Sequence, residues 1–201
     1  PVGCKANIVT QMYEEYGVEI PPTTAGLLCA AIISDTLLFR SPTCTETDQY
    51  AARDLAEAAG IQCESFAREM FAAGSDLRNK TPEEIFYQDF KKFDIGDHKL
   101  GIGQITSMSQ KELEEIKKRM VPFLEKACKE HGLDMIIFML TNIVEESTEM
   151  LCYGEDSDEL VERAFPPARV TDNAAVVPGV VSRKKQVVPA LMWAISRSSE
   201  V

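Results

Sequence analysis

Met135-Ile136-Ile137-Phe138-Met139-Leu140-Thr141-Asn142-Ile143-Val144 is an apolar run of strand type, and its surroundings decide the fold. Immediately upstream, Ser109 with Glu112 caps a long amphipathic helix that stops at Gly132. Before that, Phe93–Ile95 and Leu100–Thr106 flank Gly96-Asp97-His98-Lys99, a hairpin signature. Thr81-Pro82-Glu83-Glu84 is a capping box with proline at the first helical position, and it predicts a helix reaching about Lys92. Downstream, the pattern predicts a strand over Glu149–Tyr153, a helix over Asp156–Phe165, a short strand over Ala174–Val177 and a terminal helix over Arg183–Ser196. Strands interleaved with helices make residues 81–201 an α/β layer structure with a mixed sheet.

Residues 1–74 read differently. Helices are predicted over Lys5–Tyr16, Ala25–Phe39, from the Thr45/Asp48 capping box to Gly60, and over Glu64–Ala73, with no convincing strand. The Ser75-to-Lys80 segment breaks the helical periodicity, which makes 75–80 a linker between two domains.

The chain has 201 residues, 45% of them hydrophobic and 26% charged, enough for one good core or two modest ones. Its apolar runs fall short of the roughly 20 residues of a membrane span. A net charge of −11 argues against general affinity for nucleic acid or anionic lipid. Six cysteines, none in a C-x-x-C pair, read as reduced thiols of a cytoplasmic protein. Residue 1 is proline, so the chain is expected to be a piece of something longer.

Two features stand out chemically. Asp35 lies within the apolar stretch Leu27-to-Phe39, and helical spacing sets it beside Leu28, Ala31, Ile32 and Phe39. A carboxylate there is either a helix-end group bonded by the Arg40-Ser41-Pro42 loop or a ligand for a hard divalent ion. The other feature is the window Asn173–Ser199, whose 27 residues hold no Asp or Glu although the overall composition predicts about four. Arg183-Lys184-Lys185 sits inside it at the start of an apolar helix, where the dipole repels cations and attracts anions. The pattern is either a solvated basic turn or an anion site, and the missing acid favours the anion site. By pattern alone, Lys91 and Lys92 flank a helix end, His98 and His131 are exposed punctuation, and Trp193 is core packing in the last helix.

Ser182-Arg183-Lys184-Lys185-Gln186-Val187-Val188-Pro189 resembles the C-terminal signature of the family II, manganese-dependent inorganic pyrophosphatases. Pro1-Val2-Gly3-Cys4, the stretch Ala31 to Phe39 with Ser41-Pro42-Thr43, and residues 74–81 resemble the same family in the same order. The resemblance implies that 1–74 is the latter, mostly helical part of a parallel α/β domain of the Asp-His-His phosphoesterase type. On the same ground 81–201 is the whole substrate-binding domain, with the active site in the cleft between the two. It implies Asp35 as one ligand of the metal pair and Arg183, Lys184 and Lys91 as the pyrophosphate clamp. Lys91 enters through the Asp-x-Lys-x-Phe context that here reads Asp89-Phe90-Lys91-Lys92-Phe93.

The implied reaction is two-metal hydrolysis of pyrophosphate to two phosphates, with manganese as the metal and cobalt or magnesium as alternatives. The implied assembly is a cytoplasmic homodimer with no nucleic-acid or membrane partner. The family's remaining ligands, several Asp and His, would lie upstream of Pro1, so this chain alone is expected to hydrolyse pyrophosphate poorly. Two rival readings stay open: a phosphoesterase acting on polyphosphate or nucleotides, and a non-catalytic phosphate-binding regulatory module.

Overall fold

A computed structural model describes residues 2–74, 77 and 79–198 and divides the chain into two compact units, Pro1–Gly74 and Ser75–Val201. Part of the expected linker, residues 75, 76 and 78, lies outside the described residues.

In the first unit, α1 (Lys5–Glu15), α2 (Pro22–Asp35), α3 (Glu46–Ala59) and α4 (Cys63–Gly74) surround a core of alanine, cysteine, isoleucine and leucine side chains. Ala25, Cys29, Ile32 and Ile33 of α2 meet Ala52, Leu55 and Ala56 of α3 and Cys63 and Ala67 of α4. Among the described residues of this unit there is no strand. The helix expected to reach Phe39 ends at Asp35, because Leu37, Leu38 and Phe39 all adopt positive φ (51°, 50° and 70°). Non-glycine residues disfavour this left-handed conformation by roughly 1–2 kcal/mol each. Tertiary contacts hold them there: Leu38 is buried in the core, its N–H donates to the Ile33 carbonyl, and the Ser41 N–H donates to that of Thr36.

The N-terminal strand-like lead is tied down by one carboxylate. Asp48 accepts from the N–H groups of Gly3 (2.8 Å) and Thr45 (2.8 Å), from the Thr45 hydroxyl (2.6 Å) and from Asn7 Nδ2 (3.1 Å). Burial pushes its pKa up, but the bonds from Thr45, Asn7 and Gly3 outweigh that and hold it below the usual carboxylate range. A folded-state pKa below the unfolded value stabilises above the unfolded pKa of about 3.9 and loses that contribution as pH falls through the folded value. The first unit is therefore expected to weaken on acidification below pH ~4. Asp48→Asn should flatten this part of the pH profile of urea midpoints; an unchanged slope would exclude Asp48 as the group.

In the second unit, α5 (Pro82–Phe86), β1 (Phe90–Ile95), β2 (His98–Ser107), α6 (Gln110–His131), β3 (Met135–Asn142), β4 (Ser147–Gly154), α7 (Ser157–Ala164) and β5 (Ala174–Pro178) follow in order. A five-residue π-helical turn, Arg183–Val187, then runs into α8 (Val188–Ser198). The sheet order is β1-β2-β3-β4-β5, with β2 and β3 parallel and the other neighbours antiparallel. The mixed sheet expected from the sequence is thus present.

Helix α6 covers one face with Leu113, Ile116, Met120, Leu124 and Ala127, packed on Ile136, Phe138 and Leu140. On the other face Leu160 and Val161 of α7 and Leu191, Ala194 and Ile195 of α8 meet Leu100, Ile102, Ile137 and Met139. Strand β3 is buried along its whole length, which is why its sequence is apolar without alternation.

The helix expected to reach Lys92 stops at Phe86, and residues 90–95 form an edge strand instead. The reason lies across the strand: β1 pairs with β2 in the register Phe90↔Gly103 and Lys92↔Gly101. A Cβ on Gly101 would lie 2.7 Å from the Phe90 ring, and one on Gly103 2.4 Å from the Phe138 ring. Two glycines therefore make room for two aromatic rings, and that packing outweighs the local helical pattern.

Two smaller expectations are also corrected. Trp193 is 53% exposed, because its neighbours Leu191, Ala194 and Ile195 occupy the inward stripe of α8; the Arg197 guanidinium covers its ring at 4.7 Å. His131 is half-buried, stacked near Phe86 and Phe90, with Nε2 2.6 Å from the Tyr87 hydroxyl.

Candidate functional site: a cationic face on the second unit

Side chains alternate along β1, so Lys91 and Phe93 share one face while Phe90 and Lys92 take the other. Phe93 packs into the core under α7 and α8, which fixes the Lys91 face as the α8 side. Lys91 is opposite Ile102 on β2, and the Ile102 carbonyl accepts from Arg183 Nη1 at 3.3 Å. The register thus sets Lys91 beside Arg183, with Lys184 next in the chain. Lys91 and Arg183, both expected from the sequence, thus meet the same residue of β2, and Lys184, also expected, follows Arg183 in the chain.

Arg183 does not fit the solvated-turn reading of the sequence. It is buried, and its guanidinium is held by its own protein: Nη1 donates to the Asp89 carbonyl at 2.7 Å and Nη2 to Asp89 Oδ1 at 2.6 Å. The Asp89 carboxylate, 49% exposed, offsets the dipole mismatch that local sequence made puzzling. Lys91 and Lys184 are exposed and make no ion pair among the described residues.

The turn that delivers Arg183 is tightly specified. Gln186 Oε1 accepts from the N–H groups of Val181 and Ser182, each at 3.0 Å, while its Nε2 donates to the Gly179 carbonyl at 2.7 Å. The sheet supplies the remaining bonds: Gln104 Nε2 donates to the Val181 carbonyl and to Thr141 Oγ1, and Thr148 Oγ1 donates to the Val180 carbonyl. The Ser182 carbonyl accepts from both Gln186 and Val187, giving the wide turn. Asp89, Gln104 and Gln186 were not singled out from the sequence. Asp89 lies in the quoted Asp-x-Lys context, but its partner is 94 residues away.

Asp35, the fourth expected residue, belongs to the first unit. It ends α2 and is exposed, so the apolar burial suggested by helical spacing is not found. Burial first and the nearby Asp35 carboxylate second push the Cys4 thiol pKa up to about 11. The strained Leu37–Phe39 turn follows Asp35 directly, and such strain gathers at functional sites. Among the described residues, no three His, Cys, Asp or Glu side chains come together as a metal-holding group.

The DHHA2 domain family matches residues 68–194. A Clostridium acetobutylicum protein described as a probable manganese-dependent inorganic pyrophosphatase is 46% identical, over 97% of this chain and 62% of its own length. A Clostridium perfringens cobalt-dependent inorganic pyrophosphatase is 44% identical, over 98% of this chain and 35% of its own. Among solved structures, a Methanococcus jannaschii protein provisionally assigned to the family II inorganic pyrophosphatases superposes with a TM-score of 0.82 at 41% identity. That match covers 98% of this chain and 66% of the other. The chain thus spans less than two thirds of the length of these relatives. With a matching domain over more than half its length and an α/β sheet carrying the cationic face, the chain belongs to the DHHA2 domain family and is a relative of the family II inorganic pyrophosphatases.

Proposed function

We propose that this chain binds inorganic pyrophosphate on its Lys91–Arg183–Lys184 face and serves hydrolysis of that anion to two phosphates. The observation that carries the reading is a buried, internally anchored arginine with exposed Lys184 next in the chain and exposed Lys91 opposite Ile102, whose carbonyl the arginine reaches; neither lysine makes an ion pair among the described residues. A tetra-anion needs several fixed cations, and phosphoryl transfer is catalysed largely by positioning and charge neutralisation. Arg183 would orient one phosphoryl group, while Lys91 and Lys184 would neutralise charge on the rest.

The relatives' names speak of manganese and cobalt. A hard divalent ion takes about six oxygen donors. Asp35 offers one carboxylate, and no group of three candidate ligands gathers among the described residues. The residues of this chain do not by themselves fit such an ion; Asp35 is proposed as a single donor toward it.

The proposal includes 1–74 as the latter part of an Asp-His-His type domain, 75–80 as a linker and 81–201 as the substrate-binding domain. It also includes a cytoplasmic homodimer without nucleic-acid or membrane partners. Six free cysteines support a reducing compartment. The net charge of −11 is unfavourable for phosphate backbones. Among the described residues, no helix is long and apolar enough to cross a membrane.

Calorimetric titration of the full chain with pyrophosphate, tripolyphosphate and orthophosphate, with and without manganese, tests the proposal. Pyrophosphate is expected to bind without metal at least about 10-fold more tightly than orthophosphate, since each additional charged hydrogen bond contributes about 1.5–3 kcal/mol. Tighter binding of tripolyphosphate would move the assignment to polyphosphate, and no binding of any of the three would remove it.

A further inference from the structure

We propose that Asp89 is a positioning residue. It clamps the outer fork of the Arg183 guanidinium so that the remaining edge, Nε–H with the second Nη2–H, faces a phosphoryl group. This rests on the reading of Arg183 as a pyrophosphate ligand, and it names the group that makes that arginine selective.

A guanidinium carries five N–H donors arranged as edges of parallel bonds. Three are committed: both Nη1 hydrogens, to the carbonyls of Asp89 and Ile102, and one Nη2 hydrogen, to Asp89 Oδ1. Among the described residues Nε makes no bond, so the two donors left over lie parallel along one in-plane edge of the guanidinium. That pair matches two oxygens of a phosphoryl group.

The clamp is rigid because its two acceptors come from one residue whose backbone is itself fixed. The Asp89 carbonyl also accepts from the Gln104 N–H at 3.0 Å, which extends the β1–β2 pairing by one residue. From there the chain alternates to place Lys91 on the same face. A single dipeptide step therefore sets both the orientation of Arg183 and the location of its neighbouring ammonium.

Charge alone makes the opposite prediction. Asp89 is a half-exposed carboxylate beside a site for an anion, so neutralising it should tighten binding if its only role were to temper the local field. A positioning role predicts weaker binding on the same substitution, because the freed guanidinium samples other rotamers. The sign of the effect separates the two.

The experiment is titration of the full chain with pyrophosphate for the wild type, Asp89→Asn, Asp89→Glu and Arg183→Ala, together with melting curves and the 15Nε–Hε signal of Arg183. Asp89→Asn is expected to weaken binding about 10-fold, the lower end of the scale of losing one charged hydrogen bond. Its melting temperature should stay close to that of the wild type. The Nε–H signal, sharp and shifted by pyrophosphate in the wild type, should broaden in Asp89→Asn, and Asp89→Glu should recover most of the affinity. Unchanged or tighter binding by Asp89→Asn, or a lowered melting temperature with unchanged affinity, would overturn the positioning role. Wild-type affinity in Arg183→Ala would instead overturn the underlying reading of the face.

Discussion

Arg183→Ala is expected to weaken pyrophosphate binding by the chain about a hundredfold, the equivalent of two charge-assisted hydrogen bonds at about 1.5 kcal/mol each. The effect should be specific because the fold tolerates the loss. The Asp89 carbonyl keeps the Gln104 N–H, the Asp89 carboxylate is already half in water, and the turn at 179–182 is held by Gln186 and Gln104 independently of the arginine. Lysine should not substitute, since an ammonium cannot donate to Asp89 and offer a parallel pair outward at once. Arg183→Lys is therefore expected to lie much closer to Arg183→Ala than to the wild type. Binding curves for both variants check this; a lysine variant within twofold of the wild type would mean that the arginine contributes charge and no geometry.

The second large effect concerns Gly154, the last residue of β4, at φ +113°. A Cβ there would lie 2.2 Å from the Asp134 carbonyl oxygen and 2.6 Å from the Met135 Cα, both backbone atoms that cannot swing aside. Gly154→Ala should cost ~1–3 kcal/mol for the backbone conformation and a similar amount for overlap, about 3 kcal/mol or more together. For a unit of this size that corresponds to a fall in Tm of roughly 10–15 °C. The damage reaches the site because Gly154 leads into α7, which packs with α8 under the cationic face. A thermal melt within 3 °C of the wild type would show that the β3–β4 end adjusts cheaply.

Much of this architecture is legible in local sequence because local chemistry dictates it. The capping boxes at Thr45/Asp48 and Thr81/Glu84 form as their spacing requires. Gly132 and Gly60 end their helices at positive φ, and the apolar run at 135 becomes the central strand. The misreadings share a cause. Phe90-Lys91-Lys92-Phe93 is locally compatible with a helix, and only Gly101 and Gly103, distant in sequence, make it a strand. Leu37–Phe39 contains no glycine or asparagine to announce a left-handed turn, which long-range packing of Leu38 imposes.

The site divides in the same way. The acid-free window around Arg183 is visible as composition, whereas its one compensating carboxylate, Asp89, lies on another element and needed the register of β1 on β2 to be found. Asp35 was legible as an unusual carboxylate, but helical spacing alone overstated its burial.

The strands of the second unit stand side by side in the order in which they are made. Each can therefore join a neighbour already synthesised, with no strand needing to insert between two others. The guanidinium comes from the final segment and reaches back 94 residues to the first strand's threshold. As the ribosome releases this unit, the platform can assemble early, while the bond between Arg183 and Asp89 forms only when the last segment arrives.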